Sequence, residues 1–271
     1  MNRGHEARDL VGRCADELAR AETGRRPIEP LTDTHPGLTV DDAYAIQRTN
    51  VERRVARGER IVGHKIGLTA KAMQELFRVS EPDYGHLLDT MMHDAAVPLD
   101  LGELVDPQIE VEPAFVLGRR LQGPGVGIDD VLAATKYVTV CLEVIDSRII
   151  GWRIKLPDTV ADNGSSARVV LGPRLVPPAG LALDNLATEL ELDGRVVETG
   201  NTHAILGHPA KSIAWLANRI AAFGLALEPG HFVLPGTCTR SLRLRGHRRV
   251  AGRIAGLGEV VLRLEGTPAI A

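Results

Sequence analysis

Three glutamates stand in segments that otherwise have the pattern of buried β-strands. Glu110 and Glu112 alternate with apolar residues, and this period of two places both acids on one face of a strand. Glu143 interrupts the apolar, β-branched run 138–145, which is typical of a core strand. Ionised carboxylates in such places are costly unless their charge is offset, and like charges on neighbouring strands repel. A shared divalent cation would resolve both problems.

The donor atoms indicate which ion to expect. Carboxylate oxygens suit Mg²⁺ or Mn²⁺, and no Cys or His lies at the short spacings typical of zinc sites. The alternative is that Glu110 and Glu112 lie on a solvated edge strand, which Pro113 also favours, and that they pair with arginines. The arginines available for such pairs are Arg119, Arg120 and Arg148. Glu143, within its apolar run, favours the metal site.

The elements that must position these acids begin with helices. Apolar residues at helical spacing predict a helix over about the first 20 residues. Thr39 and Asp42 form a capping-box pattern that predicts a second helix beginning near residue 40. From Ile61 onward the sequence changes to short strand patterns separated by turns. We therefore predict an N-terminal helical region, residues 1–60, and a β-rich metal-binding catalytic domain, residues 61–271.

The β-rich part has its own signals. Asp193-Gly194 lies between two alternating segments and predicts a β-hairpin. Pro209 opens an amphipathic helix that Gly224 closes, and a further short helix is expected over 70–77. Strands that occur in runs, rather than in alternation with helices, indicate an α+β fold with a rolled sheet or barrel.

Composition limits the partners. The chain has 271 residues, 44% of them hydrophobic, and a net charge of -3 from evenly mixed acids and bases. This balance predicts a small-molecule partner and no binding to nucleic acid or membranes. Three widely spaced cysteines favour a reducing compartment over a disulfide framework. Since the N-terminus lacks an apolar leader and no stretch approaches membrane-spanning length, we predict a cytoplasmic location.

Several segments match one known family in the same order along the chain. They are Asp42–Gln47, Gly63–Thr69, Ala72–Gln74, Pro82–Gly85, Glu110–Glu112, Glu143–Arg148, Ala161–Ser166, Leu206–Pro209 and Trp215–Ala217. Together they cover roughly residues 37 to 265 and resemble the 2-keto-4-pentenoate hydratase and 4-oxalocrotonate decarboxylase group of the fumarylacetoacetate hydrolase superfamily. The chain departs from the family at Pro107-Gln108, where members often have Pro-Arg. It also departs at Thr69-Ala70 and Gly246-His247, where Thr-Ser and Gly-Asp are usual.

The resemblance implies a mixed rolled β-sheet around a divalent metal held by Glu110, Glu112 and Glu143. It implies that Lys65 binds the substrate carboxylate or stabilises an enolate, and that Asp83 moves protons. Ser165 is implied as a substrate-binding residue, with Ser166 as the alternative. Without the resemblance, Lys65 would be interpreted as a surface lysine, Asp83 as a turn former and the serines as part of an ordinary loop. Arg148 is expected to pair with Asp146 as structural support.

The family's substrates are 2-hydroxy-2,4-dienoates and their 2-oxo tautomers, whose C1 carboxylate and C2 oxygen can chelate a metal ion. Chelation stabilises the C2 enolate, which ketonisation, water addition at C4 and decarboxylation all require. We predict a hydratase that converts 2-hydroxypenta-2,4-dienoate, or a close homologue, into a 4-hydroxy-2-oxo acid in meta-cleavage catabolism of aromatic or steroid rings. The alternatives are 2-oxo-3-hexenedioate decarboxylase, an acylpyruvate C–C hydrolase and a non-catalytic partner subunit. A homo-oligomer is expected, and association with a downstream aldolase or decarboxylase stays open.

Overall fold

The computed structural model describes residues 3–71, 74–75 and 78–266, with side chains from residue 8 onward. The helices are α1 (Arg3–Gly24), α2 (Leu31–Thr34), α3 (Val40–Ala56), α4 (Ile128–Ala134), α5 (Leu156–Ala161) and α6 (Pro209–Ala221). The α3 helix begins with the predicted capping box, because Thr39 Oγ1 accepts a hydrogen bond from Asp42 N–H and the Asp42 carboxylate accepts one from Thr39 N–H. The predicted helix over 70–77 includes residues 72, 73, 76 and 77, which lie outside the described residues.

The strands follow in chain order. They are β1 (Ile61–Gly67), β2 (Asp83–Leu88), β3 (Leu99–Asp100), β4 (Pro107–Leu117), β5 (Thr135–Asp146), β6 (Ser166–Leu171), β7 (Ala187–Leu192), β8 (Arg195–Asn201), β9 (Phe232–Leu234), β10 (Leu242–Arg243), β11 (Arg249–Ile254) and β12 (Gly258–Glu265). Asp193 and Gly194 join β7 to β8 with φ angles of 48° and 84°, and such a pair of positive values is typical of the tight turns of β-hairpins. The predicted hairpin is confirmed.

Two mixed sheets pack on each other. The first, here called the site sheet, has the order β2-β1-β9-β4-β5-β6, and β10 also pairs with β4. Its strands are mostly antiparallel, but β1 and β9 are parallel. The second sheet has the order β3-β12-β11-β7-β8. The predicted α+β fold, with curled mixed sheets and a small N-terminal helical region, is confirmed.

The main hydrophobic core lies between the sheets and fixes which way β4 and β5 face. Val111 of β4 and Leu142 of β5 are fully buried there. The sheets approach so closely that a Cβ on Gly252 of β11 would lie 2.8 Å from Val111 Cγ2. Because side chains alternate along a strand, the glutamates of β4 and β5 point to the opposite face of the site sheet.

A separate apolar cluster holds the N-terminal helices. Cys14 and Leu18 of α1 pack with Ile46 of α3 and with Val160 and Ala161 of α5. The α5 helix leads into residues 162–166, so the helical layer supports a loop that reaches the opposite face of the site sheet. The division into residues 1–60 and 61–271 stays a prediction. Within the described residues, no helix is long and apolar enough to span a membrane.

Candidate metal centre and its cavity

The three glutamates come together on the face of the site sheet away from the main core. Glu110 of β4 and Glu143 of β5 are direct cross-strand partners, and Glu112 follows two positions along β4. One oxygen from each of the three carboxylates lies within 4.8 Å of the other two. Only 1% of Glu112 and 0% of Glu143 is exposed. This separation satisfies the geometry that shared metal ligation requires, and their role as ligands stays a prediction.

Hydrogen bonds fix two of these carboxylates. Gly236 N–H donates to Glu112 Oε2 at 2.8 Å, and Ser166 Oγ donates to Glu143 Oε1 at 2.7 Å. The other Glu143 oxygen, Oε2, is buried and has no hydrogen-bond partner among the described residues; Lys65 Nζ lies 3.6 Å away. An oriented cluster of hard oxygen donors, one of them unsatisfied, fits a divalent cation.

The electrostatics of the cluster show that its negative charge is in excess. Burial raises the pKa of Glu110 to about 7, although the Lys65 ammonium partly opposes this shift. Burial and the neighbouring Glu143 and Glu110 carboxylates raise the pKa of Glu112 well above its usual range. One lysine therefore does not balance three acids, and a bound cation would favour their ionised forms.

Lys65 is a buried member of this cluster rather than a surface lysine. It is 5% exposed, and its Nζ donates a hydrogen bond to the Gly164 carbonyl at 3.1 Å. Burial lowers the pKa of Lys65, but the surrounding carboxylates, first of all Glu143 and Glu110, together raise it by more, so the net shift is upward. The ammonium is therefore charged at neutral pH and aimed at the acid cluster.

From the sequence, the glycines that flank Lys65 would be expected to let the backbone come close to a ligand, but the structure gives them another role. A Cβ on Gly63 would lie 2.1 Å from the Phe232 carbonyl oxygen, and one on Gly67 would lie 2.2 Å from Asp83 Oδ1. These glycines therefore admit the neighbouring β9 backbone and the Asp83 side chain. The sequence cannot distinguish the two reasons for a glycine, because both depend on which strand becomes the neighbour.

Asp83 is the first residue of β2 and pairs with Gly67 across the strands, so the turn interpretation is wrong. It is 2% exposed, and its Oδ1 has no hydrogen-bond partner in the described part of the chain. Burial raises the pKa of Asp83, and Lys65 partly offsets this effect. A buried carboxyl group with a raised pKa can hold and release a proton nearer to neutral pH than an exposed aspartate can.

The loop beside Lys65 has an uncommon backbone. Asn163, Gly164 and Ser165 have φ angles of 56°, 61° and 55°, so three consecutive residues are left-handed. Two of them are not glycine, and such residues are strained unless the surrounding structure holds them. This geometry presents the Gly164 carbonyl to Lys65 and places Ser165 in the wall of the cavity.

A buried ion pair holds this loop. The Arg148 guanidinium bonds to the Asp162 carboxylate, and the Arg148 backbone N–H donates to the same carboxylate at 3.0 Å. Ser165 Oγ also donates to Asp162, at 3.2 Å. The expected Arg148–Asp146 ion pair is wrong, since Asp146 offers Arg148 only its backbone carbonyl. Arg148 therefore supports the site from behind.

The structure also decides the alternative of a solvated edge strand. Arg119 and Arg120 bond to the Ala133 carbonyl and to Glu228, and Arg148 bonds to Asp162. Since none of these arginines pairs with the three glutamates, that alternative is wrong.

Sequence reasoning missed the contact of Ser166 with Glu143. Its only signal was the position of Ser166 at the end of a motif that was already assigned to the site.

A cavity of about 170 Å³ opens above these residues. Lys65, Asp83, Glu110 and Ser165 line it. The remaining lining residues, which are mostly apolar or hydroxylated, are Ile66, Gly67, Leu68, Thr69, Ala70, Ile145, Trp152, Ile154, Thr159, Gly164, Thr237 and Ser241. Four residues that the sequence nominated thus meet at one small cavity, and one of them, Glu110, belongs to the carboxylate cluster.

The fold and the acid cluster define the class of this protein. Residues 89–265 match the model of the fumarylacetoacetate (FAA) hydrolase C-terminal family, and the chain belongs to this family. It is 42% identical over 243 residues to 2-hydroxyhexa-2,4-dienoate hydratase of Comamonas testosteroni, covering 89% of this chain and 92% of the relative. It is 44% identical over 218 residues to 2-hydroxypent-2,4-dienoate hydratase of Pseudomonas putida, covering 80% and 98%.

Comparison with a solved structure also points to this family. The chain resembles 4-oxalocrotonate decarboxylase from Pseudomonas putida G7, determined in complex with magnesium and adipate, with a TM-score of 0.91 and 36% identity. The match covers 95% of this chain and 98% of that one. The resemblance to the hydratase and decarboxylase group that the sequence motifs indicated is thereby confirmed.

Proposed function

We propose that the protein is a divalent-metal-dependent hydratase that adds water to 2-hydroxypenta-2,4-dienoate or a close homologue to give a 4-hydroxy-2-oxo acid. The observation that carries this proposal is the cluster of Glu110, Glu112 and Glu143, of which Glu110 lines one cavity together with Lys65 and Asp83. The hydratase names of relatives more than 40% identical over most of the chain support the reaction type.

Glu110, Glu112 and Glu143 would hold the metal ion, and a divalent ion agrees with the magnesium bound by the related decarboxylase. Between the two candidates, Mg²⁺ and Mn²⁺, the all-oxygen donor set suits both. When bound, the ion supplies Lewis acidity for a 2-oxo acid. Ser166 and Gly236 N–H orient the carboxylates that receive it.

The remaining residues act on the organic substrate. Lys65 places a fixed positive charge beside the carboxylate cluster, where it binds the substrate carboxylate and stabilises enolate charge. Asp83 moves protons along the dienol: in its protonated form it donates a proton to a carbon of the chain, and its carboxylate then accepts the proton that the added water loses. Ser165, in the cavity wall, hydrogen-bonds the substrate carboxylate.

Decarboxylation of 2-oxo-3-hexenedioate is the second candidate, because the similar solved structure is a decarboxylase and both reactions share an enolate. An acylpyruvate C–C hydrolase has less support, since no histidine is among the described residues that line the cavity to serve as base for a water. A non-catalytic subunit also has less support, because Lys65 and all three glutamates are present.

Assays with the purified protein test the proposal. The five-carbon monoacid dienol and the six-carbon diacid are each supplied with Mg²⁺, with Mn²⁺ or with a chelator, and the products are identified. A 4-hydroxy-2-oxo acid that forms only with metal is the expected result. Release of CO₂ from the diacid without hydration of the monoacid would establish the decarboxylase instead.

We also propose that the chain forms a homo-oligomer in the cytoplasm and that a downstream aldolase or decarboxylase associates with it. The family resemblance supports the oligomer, and the N-terminal helices are suited to cover a neighbouring copy. Light scattering at micromolar concentration is expected to give a mass that is a multiple of 29.2 kDa. A mass of one chain would contradict the proposal.

A further inference from the structure

The pairing of β4 with β5 shows which side chains lie next to the acid cluster along the strands. Glu110 and Glu143 form one cross-strand pair, and the next pair on the same face is Gln108 and Ile145. Because same-face residues recur every two positions, this second pair lies about 7 Å from the first. Ile145 lines the cavity. A ligand held at the glutamates and extended along the strands would therefore reach Gln108 and Ile145.

Gln108 is tied to the cavity wall by a hydrogen bond. Ser241 Oγ donates to Gln108 Oε1 at 2.7 Å, and Ser241 itself lines the cavity. Gln108, Ser241 and Ile145, here called the outer rung, thus combine an amide, a hydroxyl and an apolar side chain. None of the three carries a charge at any physiological pH.

The described lining of the cavity offers no positive charge to an anionic group at the outer rung. Among the described residues that line the cavity, Lys65 is the sole cation, and it is bonded to Gly164 and faces Glu143. Arg243 is the cross-strand neighbour of Gln108 on β10, but its side chain is 62% exposed and lies 3.7 Å from the Asp106 carboxylate. A carboxylate brought to the outer rung would lose water without gaining a cationic partner.

We propose that the outer rung is the specificity-determining part of the site and that it selects dienoates with an uncharged tail. The inference rests on the proposed function, which fixes the C1 carboxylate at the metal end. A five-carbon chain spans about 5 Å from C1 to C5, so its tail and any short alkyl extension lie over Gln108 and Ile145. The preferred substrate class is thus the monocarboxylic 2-hydroxydienoate, and the dicarboxylic analogue is disfavoured at the tail.

The test compares kcat/KM for the monoacid and the diacid in wild type and variants. Gln108→Arg supplies the missing cation and should raise kcat/KM for the diacid relative to the monoacid by about tenfold or more, mainly through KM. Gln108→Met, which keeps the length without a charge, is the matched control and should leave the preference for the monoacid. Ser241→Arg, at the residue just before β10, places a cation at the same rung and should act as Gln108→Arg does.

The outcomes separate this inference from the proposed function. If wild type hydrates the monoacid but neither arginine variant shifts the ratio while both remain folded and active, the outer rung does not read the tail. If wild type prefers the diacid and Arg243→Gln removes that preference, Arg243 reads the tail and the inference is overturned. If wild type hydrates no dienoate, the proposed function fails and the inference falls with it.

Discussion

Two segments of the chain share one pattern and differ in consequence. Glu110-Val111-Glu112 on β4 and Glu189-Leu190-Glu191 on β7 each place two acids on one face of a strand whose other face joins the main core. On β7, Arg253 Nη2 lies 2.8 Å from Glu191, and Arg249 bonds to the same carboxylate. On β4, the cross-strand partner of Glu110 is another acid, Glu143.

The two environments shift the acids in opposite directions. Hydrogen bonds from Arg253 lower the pKa of Glu191, with Arg249 acting in the same direction. Burial raises the pKa of Glu112, and its carboxylate neighbours add to the effect. An acid whose neighbours on the adjacent strand are arginines thus forms ion pairs that already balance its charge. Acids that face each other on buried strands have no such balance, and this indicates a binding site for a cation.

The largest expected effect comes from removing one acid at each place. Glu112→Gln should lower metal affinity and kcat/KM by at least about a hundredfold, because the neutral amide is a weaker ligand than a carboxylate. The matched change Glu191→Gln should leave both unchanged. Calorimetric titration with Mg²⁺ or Mn²⁺ and steady-state kinetics measure the effects. Equal losses in the two variants would show that the β4 acids are structural.

Lys65→Ala tests the one cation of the metal cluster. Loss of this fixed charge should lower kcat/KM by about a hundredfold, as for removal of a single electrostatic stabiliser. Metal affinity should not fall, since Lys65 is not a ligand. Lys136→Ala, at an exposed lysine, is the control. Near-normal turnover by a folded Lys65→Ala protein would contradict the role assigned to it.

Asp83→Asn keeps the shape of the side chain but replaces the carboxyl group, which can gain and lose a proton, with an amide, which cannot. Turnover should fall by about a hundredfold, with a smaller change in substrate binding, because a general acid–base group acts in the chemical step. Comparison of kcat with KM on the true substrate distinguishes this from a structural defect. A variant that loses only substrate binding would place Asp83 outside the proton transfers.

The pH dependence of stability should differ in sign between the two segments. In metal-free protein, Glu110 has a pKa of about 7 against its ordinary 4.5, so the folded state binds a proton more tightly than the unfolded state. Its contribution to stability therefore falls as pH rises through this window. For Glu191, whose pKa is lowered, the contribution is lost as pH falls.

Comparison of each variant with wild type separates the contribution of one glutamate from those of the other titrating groups. The free energy of unfolding is measured against pH for metal-free wild type, Glu110→Gln and Glu191→Gln. Relative to wild type, Glu110→Gln should become more stable as pH rises from about 4.5 to about 7, and saturating Mg²⁺ should reverse this because metal binds the ionised form. A pH-independent difference would exclude the raised pKa.

The smallest effect is expected on the second sheet. Arg253 is about one-third exposed, so Arg253→Ala should cost only about 0.5–1 kcal/mol of stability, less at high salt, with kcat unchanged. Denaturant unfolding at low and high salt measures it. A loss of activity would mean that the second sheet is coupled to the site more closely than these contacts show.

The sequence by itself determined which acids face the same side of the strands and several of the local elements around them. Alternation placed Glu110 and Glu112 on one face, and an apolar run marked the strand of Glu143 as buried. The capping box at Thr39 and the Asp193-Gly194 turn are local, since their partners lie within a few residues, and both formed as predicted. Local chemistry of this kind is readable because the same residues supply the cause and the contact.

Tertiary structure alone decided the partners. Lys65, Asp83 and Ser166 lie far from the glutamates in sequence, and only the strand order β2-β1-β9-β4-β5-β6 brings them close to the acid cluster. The pairing of β1 with β2 places the Asp83 side chain where a side chain on Gly67 would otherwise lie. The tertiary structure likewise pairs Arg148 with Asp162 rather than with Asp146. The sign of each pKa shift follows from these neighbours, because burial and charge depend on distances that chain position does not set.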